Sequence, residues 1–433
     1  MRNTQLILAL AAIGFAASAN ATDGYFSHGY GMTAKGMGGA ATAMAEDTFG
    51  GANNPASMVW VGNRIDLGVD IFSPHREASR TGSTGGFGFL DGDVKSGMNY
   101  FLIPEFGYNH MMNPDLALGV TVYGNGGMNT DYATGQTDTG ACNTGTPSGV
   151  RGSNMLCGTG RLGVNLMQLI IAPTAAYKIN AGNSIGISPL FGYQQFSAKG
   201  LDSFGLTNSD TDHASGWGVR VGWQGKLSPA LTLGAAYSSK INMGKMSKYS
   251  GLFAEGGDFD IPENFDVGLA FDAASNVKLA LDYQRINYGG VKSINNPSAN
   301  IFNCPGFGGA DASQCLGGSN GPGFGWKNVN VWKLGVEYKY QPDITLRAGY
   351  NHADNPINAA DATFNILAPG VVQQHLTLGM SYAVNKTSDL TIAYMHAFEH
   401  SVSGHFLLDP TPGATDKIKM YQDSIGVAYS WKM

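Results

Sequence analysis

The 433-residue sequence predicts an all-β protein: a transmembrane antiparallel β-barrel of about fourteen strands, with an N-terminal hatch plugging its lumen. Three observations predict it. From Asn63 onward, segments of about ten residues alternate apolar and polar side chains, the length and period that a tilted strand needs to cross a bilayer. The connections between them strictly alternate between tight and long, as where brief turns lie on one side of a membrane and large loops on the other. No window holds eighteen consecutive apolar residues, and the mean hydropathy is −0.10, so helical spans are excluded.

The elements follow in order. Residues 1–21 have one positive charge at Arg2, an apolar run from Leu6 to Ala17 and a small-x-small ending at Ala19-Asn20-Ala21, which reads as a secretory signal cleaved after Ala21. Residues 22–62 follow as a Gly/Ala-rich, Met-dotted leader, the hatch. Gly29-x-Gly31-x-x-Ala34 and Gly36-x-Gly38-x-x-Ala41 superficially match a dinucleotide fingerprint, but no strand precedes them, so small residues packing a short helix and loops tightly is the better reading. Asn53-Asn54-Pro55-Ala56 closes the leader, where Pro fixes φ and Asn can bond neighbouring backbone.

Residues 63–433 supply the barrel. Apolar residues at Ile65, Leu67, Val69 and Ile71 face away from Asp66 and Asp70. Val277, Leu279, Leu281 and Tyr283 oppose Lys278, Asp282 and Gln284. Trp332, Leu334, Val336, Tyr338 and Tyr340 oppose Lys333, Glu337 and Lys339. Leu376, Leu378, Met380, Tyr382 and Val384 alternate with small or polar residues. Charges confined to one face imply a polar interior and a lipid-facing exterior. Tight connections are expected at 112–115, 180–183, 228–230, 274–276, 341–343 and 385–389. Long ones are expected at 74–97, 126–163, 197–214, 249–260, 294–326, 356–372 and 405–420. A third strand from Leu116 to Tyr123 runs into Gly124-Asn125-Gly126-Gly127, a glycine cluster that marks a bulge, a kink or a plain turn. The last strand carries Ile425, Val427, Tyr429, Trp431 and Met433.

Composition narrows the function. With 62 Gly, 19 Tyr, 21 Phe and only 13% charged residues, the chain suits a barrel with aromatic girdles. Its formal net charge of −6, or −7 without Arg2, argues against a nucleic-acid partner. Cys142 with Cys157 and Cys304 with Cys315 lie in polar, Gly-rich stretches and read as two local disulfides, without the spacing of a metal site. His396, His400 and His405 end one strand, where i and i+4 would share a face, and Glu255, Asp258, Asp260 and Glu263 form an acidic loop run. Metal readings of both lose to solvated loop ends, and no cofactor is expected. No GxSxG or comparable signature supports an enzyme.

Taken in order, the residues resemble the FadL-like long-chain fatty acid transporters, a family that includes outer-membrane channels for aromatic hydrocarbons. The resemblance covers essentially the whole chain after the signal. It rests on GMGGAATA at 36–43, NNPA at 53–56, FLIPEFGYNHMMNPDLALGVTVYGNGG at 101–127 and LIIAPTAAYKINAGNSIGI at 169–187. It implies a fourteen-stranded barrel with a hatch in its lumen. It also implies that Asn54, Pro55 and Ala56 act as a latch near an inward kink of the third strand, mapped to Asn125, Gly126 and Gly127, where the wall opens sideways. Ligand capture then points to Phe204 and Leu206 in one external loop and Leu252 and Phe253 in the next.

The expected mechanism is passive: capture of a fatty acid or hydrocarbon at external loops, passage to an apolar pocket beside the hatch, and exit into the outer membrane. A carboxylate-bearing ligand would meet an inward cation, for which alternation offers Arg220, Lys278, Lys333 and Arg347. Outer-membrane lipid and lipopolysaccharide surround such a barrel, which is expected to be monomeric. The alternatives are a general porin for small hydrophilic solutes and a structural or adhesive barrel.

Overall fold

A computed structural model describes residues 22–83, 91–134, 154–409 and 413–433. The predicted signal and Cys142 lie outside the described residues. Fourteen long antiparallel strands form the wall. They are β1 (Arg64–Thr81), β2 (Phe101–Asn113), β3 (Leu116–Asn129), β4 (Gly163–Asn180), β5 (Asn183–Lys199), β6 (Asp212–Ser228) and β7 (Leu231–Ser238), then β8 (Asn264–Ala274), β9 (Val277–Ile286), β10 (Val329–Gln341), β11 (Ile344–Ala353), β12 (Gln374–Asn385), β13 (Ser388–His405) and β14 (Thr415–Lys432). Each pairs with its neighbours in sequence, and β14 closes on β1 from Arg64 opposite Lys432 to Thr81 opposite Thr415. Closure pairs the first strand with the last, so neither is left as an edge. Two short external strands, Gly92–Lys95 and Asn242–Met243, add to β1 and β6.

Two-residue turns join β2 to β3, β4 to β5, β6 to β7, β8 to β9, β10 to β11 and β12 to β13, and long connections lie at the opposite rim. Alternation sorts the side chains as expected. Ile71, Leu281, Trp332, Leu376 and Ile425 are exposed on the outer face, while Asp66, Asp70, Asp282, Lys333 and Glu337 are buried on the inner one.

Four expected loop boundaries need correction, two of them because the connections expected to begin at 249 and 294 begin at 239 and 287, where β7 and β9 end. Residues 74–81 belong to β1 and residues 415–420 to β14, where loops beginning at 74 and ending at 420 were expected. An eighteen-residue strand spans about 60 Å, roughly twice the hydrocarbon thickness. The outer face accordingly changes from apolar (Ile65–Ile71, Ile425–Trp431) to polar and charged beyond Ser73 and Asp423, and Lys419 pairs with Glu77 at 3.1 Å. The apolar signal ends at the bilayer, whereas the hydrogen-bonded ladder continues past it.

Candidate functional site: the occupied bore, the wall break and two apolar recesses

Residues 22–62 run through the bore and bond to strands all round it. The Lys35 ammonium meets Asp70 of β1 at 2.8 Å and Glu105 of β2 at 3.7 Å. Burial opposes that charge, but the two carboxylates outweigh it and hold the Lys35 pKa above the ordinary lysine value. The Gly38 amide donates to Thr377 of β12 at 2.9 Å, and the Ala41 and Thr42 amides both donate to Asp282 of β9 at 2.8 Å. The Thr48 amide donates to Asp66 of β1 at 2.9 Å, and Lys278 of β9 pairs with Glu46 at 2.9 Å. Close approach depends on glycine: a Cβ on Gly39, whose φ is +87°, would collide with the His28 carbonyl oxygen.

The Asn54-Pro55-Ala56 segment caps a short 3₁₀ helix, Pro55–Trp60, with Asn54 Oδ1 accepting from the Ala56 amide at 3.1 Å. Asn54 Nδ2 donates to the Thr42 carbonyl at 2.7 Å and to the Trp223 carbonyl of β6 at 2.9 Å, and the Ala56 carbonyl accepts from Ser184 of β5 at 2.8 Å. These residues therefore sit against β5 and β6 rather than against Asn125-Gly126-Gly127. The kink is instead contacted by the beginning of the segment, which lies in the bore at the level of that strand. Phe26 bridges Gly126, the Ser27 amide donates to the Asn125 carbonyl at 3.2 Å, and the Gly127 amide donates to the Tyr25 carbonyl at 3.3 Å.

The wall changes at that place. The β2–β3 ladder runs from Asn113 opposite Leu116 to Phe106 opposite Val122 and stops there, while residues 101–105 of β2 stay paired to β1. On its other side β3 keeps its ladder to β4, but the register shifts between Gly124 and Gly126, leaving Asn125 as the extra residue of a bulge. From Tyr123 to Asn129 every residue is buried, so alternation is lost. Asn125 is held by Gln168 at 3.0 Å and by the Tyr30 hydroxyl at 3.2 Å. The expected end of the strand at Tyr123 is thus corrected to Asn129, because the glycines bend the strand without ending it.

Two recesses are mainly apolar, and the smaller abuts this break. The larger is lined by Phe204, Leu206, Leu252 and Phe253, the four loop residues predicted from sequence, together with residues including Phe196, Leu316, Phe324 and Leu367. Phe196 packs on Phe253 at 4.7 Å and Phe204 on Phe364 at 5.7 Å between ring centroids. The smaller lies between Phe72, Pro74 and Arg76 of β1, Gly127, Met128 and Asn129 of β3, Tyr25, and Trp326 with residues 368–370. No residue lines both, but Phe324 and Leu367 of the larger stand close in sequence to Trp326 and Ala368 of the smaller.

The four inward cations named from alternation have different surroundings. Arg220 pairs with Asp266 at 2.7 Å and donates to the Asn53 carbonyl, Arg347 pairs with Glu337 at 2.8 Å, and Lys278 holds Glu46. Lys333 has no ion pair among the described residues. Its charge lies near Asp23 and His28, where burial raises the Asp23 carboxyl from 3.8 to about 7 against the opposing pull of Lys333. Burial, aided by Lys35 and Lys333, lowers the His28 imidazole from 6.5 to about 3.

The remaining sequence candidates take other roles. A register shift between Ala397 and His400 puts His396 opposite Asp423 and His400 opposite Met420, on different faces, which corrects the expectation of a shared face. His396 binds Asp423 at 2.9 Å, and His405 contacts the Ala414 and Asp409 carbonyls. In the acidic run, Glu255 pairs with Lys292, Asp260 with Lys240, and Glu263 accepts from Tyr237 and Asn287. Cys304 and Cys315 form a disulfide beside Leu316 of the larger recess, and Cys157 is disulfide-bonded, its expected partner Cys142 lying outside the described residues. Sequence reasoning missed Tyr25, Tyr30, Arg76 and Trp326. For Arg76 a signal existed, since it continues the inward even-numbered register of Asp66 and Asp70.

Fold and site together define a class: a membrane β-barrel channel whose bore is occupied by its own N-terminal segment. Residues 8–406 match the family model described as outer membrane protein transport protein (OMPP1/FadL/TodX), and the chain belongs to that family of outer-membrane transport channels. No curated protein sequence matches it. Among solved structures it is similar to the Pseudomonas putida toluene transporter TodX, with 19% identity, 94% of this chain and 99% of that chain covered, and a TM-score of 0.67. It is also similar to a Pseudomonas aeruginosa FadL homologue, with 14% identity, 97% and 99% covered, and a TM-score of 0.65. The Ralstonia pickettii toluene transporter TbuX follows at 16% identity, 94% and 99% covered, and a TM-score of 0.61.

Proposed function

We propose that this chain takes up hydrophobic compounds, long-chain fatty acids or hydrocarbons, by passive diffusion across the outer membrane. The external recess around Phe204, Leu206, Leu252 and Phe253 captures the ligand, the recess beside Tyr25 receives it, and the break between β2 and β3 at Asn125-Gly126-Gly127 is its lateral exit. The observation that carries this reading is the mainly apolar recess beside Tyr25, which abuts the break in the wall through Gly127, Met128 and Asn129. An alkyl chain gains about 0.8 kcal/mol for each CH₂ removed from water, so apolar walls along the whole route keep it from stalling, which a wet pore does not do. Membership of a transport family supports passage rather than catalysis, and the channel acts as a monomer set among outer-membrane lipid and lipopolysaccharide. Residues 22–62 are the hatch, and Asn54, Pro55 and Ala56 its latch, acting from β5 and β6.

A general porin has no use for a filled bore, and a structural or adhesive barrel has none for the recesses. The test is uptake of labelled fatty acid and of toluene by cells carrying wild type, an Asn54→Ala/Pro55→Ala variant, or no protein. Uptake should require the protein and change in the variant. Equal uptake in all three sinks the transporter reading.

A further inference from the structure

Asn125, the extra residue of the bulge, begins a chain of amides that runs across β4 and β5. Its Nδ2 donates to Gln168 Oε1 of β4 at 3.0 Å, Gln168 Nε2 donates to Gln194 Oε1 of β5 at 3.0 Å, and Gln194 Nε2 donates to the Phe259 carbonyl at 2.8 Å. All four residues are buried. Every bond points the same way, from the wall break to the connection between β7 and β8 in which Phe259 lies. At the near end the Tyr30 hydroxyl donates to Asn125 Oδ1 at 3.2 Å, so the N-terminal segment holds the chain there.

The far end is an aromatic junction. The Phe259 ring lies 4.8 Å between centroids from Phe253, which lines the larger recess, and 6.4 Å from Tyr25, which lines the smaller one. A buried ring packed on a wall residue of each recess has to shift when those walls move, because close-packed interiors leave no slack. The amide chain passes such a shift on: its bonds reinforce one another, and a buried member that loses its partner has no water to replace it. Packing alone does not call for glutamine at these positions. On the same face of β4 Gln168 stands between the buried Leu166 and Ile170, where an aliphatic side chain would fill the space without burying an amide.

We propose that Gln168 and Gln194 are positioning residues of the channel: they tie the bulge at Asn125 to Phe259, so that ligand displacing the rings of Phe253, Phe259 and Tyr25 shifts the wall break. Neither glutamine lines a recess, so each acts through another residue. The inference rests on the channel reading above and supplies a physical link between the place of capture and the place of exit.

The test is uptake of labelled palmitate and of labelled toluene by cells whose only such channel is wild type, Gln168→Met, Gln194→Met or the double variant. Heat-modifiable gel mobility checks that each barrel has folded. Methionine keeps the length of the side chain and removes its hydrogen bonds. Each single variant should lower uptake about fivefold, the order of one lost buried hydrogen bond. The double variant should lose no more than either, because one cut already breaks the chain. In the purified barrel, Phe259→Ala should speed amide hydrogen exchange across residues 123–129 and should add nothing once Gln194→Met is present. Exchange across residues 170–178 should stay as in wild type throughout, which a general loosening of the wall would not allow. Unchanged uptake in both single variants, effects that multiply in the double variant, a Phe259→Ala response that survives Gln194→Met, or faster exchange across 170–178 would overturn this inference alone. Uptake of neither compound by wild type overturns the channel reading with it.

Discussion

At the scale of single residues, the bore is held by buried charges that gain their partners only when residues 22–62 are in place. Removing one partner of such a pair costs about 3–5 kcal/mol, so Lys35 with Asp70 fastens the segment to the wall, while Lys278 with Glu46, half-buried, adds less. Asp23 and His28 act differently, because burial holds both near neutrality. A released Asp23 ionises near 3.8, whereas the docked one keeps its proton to about 7. Docking therefore weakens as pH rises through that window and is flat above it. A released His28 gains a proton near 6.5 and the docked one only near 3, so docking also weakens as pH falls across that second window. Asp23→Asn removes the first effect while keeping an acceptor for Asn351. Amide hydrogen exchange at Tyr25 to Ser27 should be slower in the variant than in wild type at pH 8. Equal protection at pH 8 would contradict the assignment. The spacing of Asp23, His28 and Lys333 in sequence carries no hint of this cluster.

At the scale of elements, the third strand is the informative one. Its glycines were legible as a kink, a bulge or a turn, and the alternation before them predicted Leu116 to Tyr123 as wall. The partner of the bulge was not legible, because Phe26 lies one hundred residues away and the contact is made by backbone, which leaves no side-chain pattern. At Gly126 a Cβ would collide with the Tyr25 carbonyl oxygen. Gly126→Val should thus displace Tyr25 to Ser27 while leaving the β3–β4 ladder paired. A spin label at position 26 should become mobile in the variant, and a label on β4 should not. An immobile label at position 26 would show that the close approach is dispensable. The same limit applies to Asn54-Pro55-Ala56: the cap was readable from Asn followed by Pro, but its docking on Trp223 and Ser184 was not.

At the scale of the whole molecule, the proposed hatch is what would separate this channel from an open pore. Inward glycines on three strands, Gly335, Gly349 and Gly379, receive Met37, Gly38 and Gly36 respectively, leaving the segment little room to shift without the wall moving. Deleting residues 22–62 should convert the barrel into a conducting pore. Single-channel current in planar bilayers should rise well above that of the intact protein. Little change in conductance would mean that the segment does not close the bore, as for a general porin.

The sequence by itself determined the class of fold, the two faces of the wall and the alternation of short and long connections. These are local matters: a period of two and a run of turn residues are written within ten positions of one another. Only the tertiary structure decided which strands the N-terminal segment grips, where the β2–β3 ladder ends, that the strands outrun the bilayer, and which inward cations lack an ion pair among the described residues. Closing the barrel brings residues hundreds of positions apart into contact. Whether Arg76 or Arg220 is already neutralised depends on that closure and on no pattern along the chain.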